Sequence, residues 1–130
     1  PDIVVTHDPT TYIVDNSRIN HSDHRKVGET ALDAIFPLAR DRLNFPEHEQ
    51  EGLQPHKVLD IFLLFTDQPN YWVDIGATVE MKIAALAQHK SQIGENLAEL
   101  NERMRERCRM AARPTPFEYA EAFRRIQLPR

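Results

Sequence analysis

Two histidines and an aspartate lie close together in this chain, at a point where a polar loop gives way to a helical pattern. They are His21, Asp23 and His24, within the stretch "NSRINHSDHRKVGETALDAIF" from Asn16 to Phe36. Side chains three positions apart lie about one turn apart on a helix, so His21 and His24 can face the same point in space. Neutral imidazoles and carboxylates are zinc ligands, so these three residues are a candidate metal site.

An ordinary helix start gives the same pattern. His and Asp are common near helix starts, Asp especially because it stabilises exposed backbone donors. For a metal site, the positive end of the helix dipole disfavours a protonated histidine and so helps to keep a ring nitrogen free for a cation. In a metal site, Asp23 could bind the ion or hold a histidine ring in one tautomer. Three residues from so short an arc do not complete a mononuclear site, so further ligands must come from elsewhere.

Length and composition limit what can surround this cluster. The chain has 130 residues, which predicts at most one domain with a single core. Its formal net charge is −4 with both signs mixed, unlike a protein that tracks nucleic-acid phosphates. No apolar run approaches the roughly 20 residues of a membrane helix. We therefore expect no nucleic-acid partner and no membrane span. The single cysteine, Cys108, suits a reducing compartment, and the cytoplasm is the expected location.

The apolar pattern predicts alternating strands and helices. Strands are expected at Ile3 to Thr6, Lys57 to Phe65 and Val73 to Ile75, and helices from Ser22, from Thr78 and from about Glu95 to Ala112. Pro37 should interrupt the first helix, which would restart and end near Arg42. A polar connection is expected at 44–56, and a strand or short helix after Pro116. This order predicts an α/β, Rossmann-like layered fold with a mainly parallel sheet flanked by helices.

The same pattern assigns an inner face to each helix. The residues expected there are Val27, Ala31, Ala34, Ile35 and Leu38 in the first helix, Val79, Ile83, Leu86 and Ala87 in the second, and Leu97, Leu100, Met104, Cys108 and Ala111 in the third.

Ligands of open α/β sheets gather at the carboxyl ends of the strands. His7 follows the first predicted strand directly, and the polar loop after it delivers His21 and His24 to the same edge. His7 is therefore a candidate for lining the site, although a plain loop histidine fits equally well. His89 is a second candidate, but the helix dipole favours histidine at a helix end in any case.

Three longer stretches carry a resemblance to a known family. They are "THDPTTYIVDNSRINHSDHRKVGETALDAIFPLARDRL", "EGLQPHKVLDIFLLFTDQPNYWVDIGATVEMKIAALAQHKSQ" and "EYAEAFRRI". Together they resemble the carboxyl-terminal portion of the LmbE/PIG-L family of zinc-dependent N-acetylglucosaminyl deacetylases. The family's His-Pro-Asp-His motif appears here as His21-Ser22-Asp23-His24. Ser22 replaces a proline at the first helical turn, where both residue types are suitable.

The resemblance implies a role for each residue of the motif. His24 would be a zinc ligand, His21 would stabilise the tetrahedral transition state, and Asp23 would orient or tune His21. His7 and His89 are the candidates for substrate binding. The substrate would be a small amino-sugar conjugate, from which acetate and an amine are released.

The family's other signature, Ala-His-Pro-Asp-Asp-Glu, is absent from these residues. The resemblance therefore implies that residues 1–130 form the carboxyl-terminal portion of one deacetylase domain, without the upstream zinc motif, and that this portion alone is inactive. A homo-oligomer is compatible with the family.

Two other functions remain open. In a non-haem iron oxygenase, His21 and Asp23 would bind iron, with His89 as a third ligand and His24 not involved. Such oxygenases usually have a β-barrel scaffold, which speaks against this reading. A non-catalytic binding module on the deacetylase fold is the other alternative.

Overall fold

The structure is a computed structural model that describes residues 1–14, 16–93 and 96–129. The elements in chain order are β1 Ile3–His7, β2 Ile13–Val14, β3 Arg18–Ile19, α1 Ser22–Asp33, a π-helical segment Ala34–Leu38, α2 Pro46–Gln50, β4 Asp60–Leu64, β5 Tyr71–Asp74, α3 Val79–Leu86, α4 Lys90–Ile93, α5 Leu97–Ala112 and β6 Ala120–Gln127. They divide into unit 1, which is Pro1–Asn70 with Phe123–Arg130, and unit 2, which is Tyr71–Ala122.

Unit 1 is built around β1 and β4, which pair in parallel. Their register runs from Ile3 opposite Asp60 to His7 opposite Leu64. The chain between them contains α1, as the connection of parallel strands requires. On the other side of β4, the second part of β6 pairs antiparallel, with Ile126 opposite Ile61. The buried core comprises Ile35, Val58, Ile61 and Leu63, with Val4, Leu32, Ile126 and Leu128 packed against it.

Unit 2 contains α3, α4, α5, β5 and the start of β6. Its core comprises Ile75, Val79, Ile83, Leu100, Met104, Cys108 and Tyr119. The phenol oxygen of Tyr119 accepts hydrogen bonds from the guanidinium groups of Arg109 and Arg105, at 2.9 and 3.4 Å. Within the described ranges, no helix is long and apolar enough to cross a lipid bilayer.

The predicted α/β class is confirmed, with the main strands and the three longer helices close to their expected positions. The expected interruption at Pro37 is present, because Phe36 is extended (φ −150°, ψ 124°) and a residue before proline disfavours the helical conformation. The helical segment that follows ends at Leu38 and does not continue to Arg42. The strand expected at Val73 to Ile75 is Tyr71–Asp74, and α2 and α4 were not predicted. The expected helix start at Glu95 lies outside the described residues.

Two predicted inner-face residues, Val27 and Leu97, are 51% and 56% exposed, so those assignments were wrong. Ala34 is also exposed, and Ala112 is buried more deeply than Ala111. In α1 the buried residue is Gly28, one helical turn after His24.

Gly28 lets α1 approach the end of β1. A Cβ atom built on Gly28 would lie 2.4 Å from the carbonyl oxygen of His7 and 3.1 Å from Cδ of Pro9. Only a residue without a side chain fits this contact. The contact places the start of α1, and with it His24, over the last residue of β1.

Substitution of Gly28 by alanine tests this contact. In an open helix the change would stabilise by about 1 kcal/mol, because glycine is a poor helix former. Here we expect destabilisation by about 1–3 kcal/mol, since the backbone of β1 or α1 must move. Urea unfolding of Gly28→Ala and of Thr30→Ala, an exposed position of α1, measures the difference. Equal stabilisation by both changes would contradict the close approach.

Candidate active site

Three histidines come together at the carboxyl edge of β1 and β4. The rings of His7 and His24 are stacked, with centroids 4.2 Å apart and an interplanar angle of 10°. Phe65 lies parallel to both, at 5.3 Å from His7 and 6.0 Å from His24. His21 is 5.5 Å from His24 and tilted by 47°. The expectation that His7 and the motif histidines share one edge of the sheet therefore agrees with the structure.

The parallel strands bring His7 and Phe65 side by side. His7 ends β1 opposite Leu64, and Phe65 follows directly after β4. Phe65 has φ 55°, in the left-handed region that is uncommon for residues other than glycine. Such conformations cluster at functional sites, where the surrounding structure maintains them.

Asp8 fixes the backbone next to His7. Its side chain is fully buried and accepts hydrogen bonds from the amide and hydroxyl of Thr10, at 2.9 and 2.6 Å, and from the hydroxyl of Thr66, at 2.6 Å. The Asp8 amide donates to the carbonyl of Leu64 at 2.9 Å, which extends the parallel ladder by one bond. The end of β1 is thereby joined to the end of β4.

The loop after Asp8 is joined to the same edge and to α1. The hydroxyl of Thr11 donates to the Asp67 carboxylate at 3.2 Å, and the side-chain amide of Asn20 donates to the Thr11 carbonyl at 2.8 Å. Arg25 donates to the carbonyl of Asn20, and its guanidinium lies 4.0 Å from the ring centroid of Tyr12. These contacts place the start of α1.

His21 is the N-cap of α1. Its Nδ1 accepts a hydrogen bond from the backbone amide of Asp23 at 3.2 Å, a role that Ser, Thr, Asp or Asn usually fills. In a neutral ring that accepts at Nδ1, the proton is on Nε2, which is then a donor. The Asp23 carboxylate is 3.7 Å from the same Nδ1, with side chains 65% and 85% exposed, so their electrostatic coupling is weak. Ser22 occupies the first helical position, as expected.

The environment of His7 favours its neutral form. Burial, followed by the proximity of His24, lowers the pKa of His7 below the ordinary value of 6.5. Its Nδ1 is buried and has no hydrogen-bond partner among the described residues. Because an unpaired buried polar atom costs free energy, this nitrogen is suited to a ligand or substrate group.

The pKa of Asp8 is also shifted. Burial disfavours its charged form, but the hydrogen bonds from Thr10 and Thr66 and the charge of Arg124, 3.9 Å away, outweigh burial. The pKa of Asp8 therefore lies below its ordinary value, and the carboxylate is ionised at neutral pH.

The histidines fit a metal site in part. Imidazole nitrogens are good zinc ligands, and His24 and His7 both lie at the carboxyl edge of β1 and β4, where a ligand site is expected. However, the described residues include no group of three or more His, Cys, Asp or Glu side chains that could hold a metal ion. His89 belongs to unit 2, where it is exposed and its amide donates to the Leu86 carbonyl at 3.0 Å.

Sequence reasoning missed Asp8, Phe65 and Gly28. A glycine inside a helical pattern does signal a close backbone approach, and an acidic residue directly after a buried strand marks a possible site edge. Nothing in the sequence indicates the conformation of Phe65.

No protein-family model matches the chain. It is 34% identical over 80 residues to a diacetylchitobiose deacetylase from Thermococcus kodakarensis, an alignment that covers 62% of this chain and 30% of that protein. The structure matches the N,N'-diacetylchitobiose deacetylase from Pyrococcus horikoshii, solved with an inhibitor, with a TM-score of 0.81 and 28% identity. That match covers 98% of this chain and 46% of the other.

Diacetylchitobiose deacetylases are therefore homologues of this chain. The predicted likeness to N-acetylglucosamine-type deacetylases is confirmed at this level, and so is the fold. The chain spans less than half the length of either deacetylase.

The hydrogen bonds of Asp8 predict a pH-dependent loss of stability. Because the folded pKa is depressed, Asp8 stabilises the fold fully above its unfolded value, near 3.8, and this contribution is lost as the pH falls toward the folded pKa. We expect Asp8→Asn to cost about 1–3 kcal/mol at pH 7 and the difference from the wild type to shrink below about pH 4.

Urea unfolding between pH 7 and pH 3 measures this difference. Asp33→Asn, at an exposed position of α1, is the matched control and should cost little at any pH. An Asp8→Asn difference that stays constant down to pH 3 would show that the Asp8 charge is not favoured by folding.

Proposed function

We propose that this chain is the carboxyl-terminal part of a zinc-dependent hydrolase that removes the N-acetyl group from an N-acetylglucosamine-type conjugate. The products are acetate and a free amine. The observation that carries the proposal is the stacking of His24 on His7 beside the capping His21, in a chain whose homologues are deacetylases. The family resemblance of the His21-Ser22-Asp23-His24 motif supplies the individual roles.

His24 is proposed as the zinc ligand of this part of the protein. It lies in the first turn of α1, partly buried, and its ring is near those of His7, His21 and Phe65. Bound zinc would polarise the acetamide carbonyl and lower the pKa of a water molecule toward 7. The other zinc ligands and the carboxylate that accepts the water proton are expected from the part of the homologous domain that this chain does not span.

His21 is proposed as the donor that stabilises the negative charge developing on the carbonyl oxygen. Its Nδ1 is occupied by the Asp23 amide, so the Nε2–H group is free to donate. A donor fixed before the charge develops costs no reorganisation during the reaction. Asp23, whose backbone amide donates to Nδ1 of His21, is proposed to orient or tune that ring.

His7 and His89 are proposed as substrate-binding residues. For His7 the support is its buried Nδ1, which has no partner among the described residues and can bond to a polar group of a sugar. For His89 the support is sequence resemblance alone.

The iron oxygenase reading has less support. It would use His21 and Asp23 as ligands and leave out His24, whereas His24 is the ring that contacts His7, His21 and Phe65. An α/β fold and deacetylase homologues also favour amide hydrolysis.

A hybrid enzyme tests the proposed function. In the Pyrococcus deacetylase, the structurally matched 46% of the chain is replaced by residues 1–130. We expect the zinc-loaded hybrid to release acetate from N,N'-diacetylchitobiose, and to lose this activity when zinc is removed. His24→Ala should abolish activity and zinc retention, and His21→Ala should lower kcat by about 10²-fold with zinc still bound.

His48→Ala is the matched control, because His48 stacks on Phe45 elsewhere in unit 1. It should leave acetate release unchanged. A folded, zinc-containing hybrid with no activity would favour the non-catalytic module, and full activity of His24→Ala would exclude His24 as a ligand.

A further inference from the structure

The planes of His7, His24 and Phe65 are nearly parallel. The three interplanar angles are 10°, 14° and 7°. The distance from His24 to Phe65, 6.0 Å, is shorter than the two other centroid distances taken together, so the rings form a triangle and not a column. Within this triangle, the His7 ring is the nearest of the three to both His24 and Phe65.

The backbone of His7 is held by several contacts. Its backbone is in the parallel ladder, the next residue is anchored by the buried Asp8 carboxylate, and its carbonyl lies against Gly28. His24 is on α1, whose backbone lies close to β1 because Gly28 has no side chain. The stack thus joins two rigid backbone elements.

A metal-binding histidine is usually oriented by a hydrogen bond from its second ring nitrogen to a carboxylate or carbonyl. Among the described residues, no such partner is present for His24, whose contacts are the ring contacts with His7, His21 and Phe65. Ring stacking is the contact that can replace this hydrogen bond. His21 is a poor candidate, because it is tilted by 47° and largely exposed.

We propose that His7 is a positioning residue for His24, whose ring plane it fixes by stacking, with Phe65 supporting both rings. The consequence for metal binding rests on the proposed function, because it requires His24 to be a ligand. The stacking uses the face of the His7 ring and does not involve its buried Nδ1, which is at the ring edge.

Relaxation of the His24 side chain tests the proposal without metal. The 130-residue chain is labelled with ¹³C at histidine Cε1, and the order parameter of the His24 Cε1–H bond is measured. We expect a rigid value, about 0.85, in the wild type, and a value below about 0.6 in His7→Ala. His7→Phe retains a flat ring without nitrogens and should restore the rigid value. His48→Ala, which removes another stacked histidine, should not change it.

Zinc titration by calorimetry is the second measurement. If the chain binds zinc through His24, His7→Ala should weaken binding by about tenfold, and His7→Phe should bind as the wild type does. If the chain takes up no zinc, the site needs the ligands that lie outside this chain, and the relaxation data still decide the role of His7.

Two results would overturn the proposal. One is an unchanged His24 order parameter in a folded His7→Ala chain. The other is a folded His7→Phe chain in which His24 remains mobile, since the effect would then depend on the His7 nitrogens and not on the ring. Far-UV circular dichroism of each variant establishes that it is folded, and His7→Phe keeps the test decisive if His7→Ala unfolds.

Discussion

The contact between Gly28 and the carbonyl of His7 is the constraint on which the site depends. It sets the distance between α1 and β1, and the absence of a side chain at Gly28 allows His24, one turn earlier, to stack on His7. A helix held only by apolar side chains would lie further from the strand, because side chains separate packed backbones. Glycine lowers the stability of the helix. It also lets the backbones of α1 and β1 come close enough for His24 to stack on His7.

Around this contact, polar groups position the loop that carries His21. Asp8 is buried with three hydrogen bonds, which offset the cost of placing a charge away from water. Thr10 lies in the loop after β1 and Thr66 lies just after β4, so the Asp8 carboxylate connects this loop to the end of β4. The loop ends at His21, where an imidazole caps α1 in place of the usual oxygen.

Much of the fold and the position of the site could be predicted from the sequence. The β-branched run at Ile3 and the apolar run before Phe65 predicted two strands of a mainly parallel sheet. The rule that ligands gather at the carboxyl ends of such strands predicted that His7 and His24 lie at the same edge. Local patterns could not predict that Val27 is exposed, because the inner face of α1 is set by the contact at Gly28. The hydrogen bond from Thr66 to the buried Asp8 and the contact of Phe65 with His7 each join residues 58 positions apart, which no short pattern contains.

Zinc-edge anomalous diffraction from the zinc-loaded hybrid enzyme locates the metal without reference to activity and so shows which side chains bind it. We expect an anomalous peak about 2.0–2.1 Å from a ring nitrogen of His24, with the His24 ring still stacked on His7. A peak coordinated by His21 and Asp23, with His24 uncoordinated, would contradict the assignment of His24 as the metal ligand.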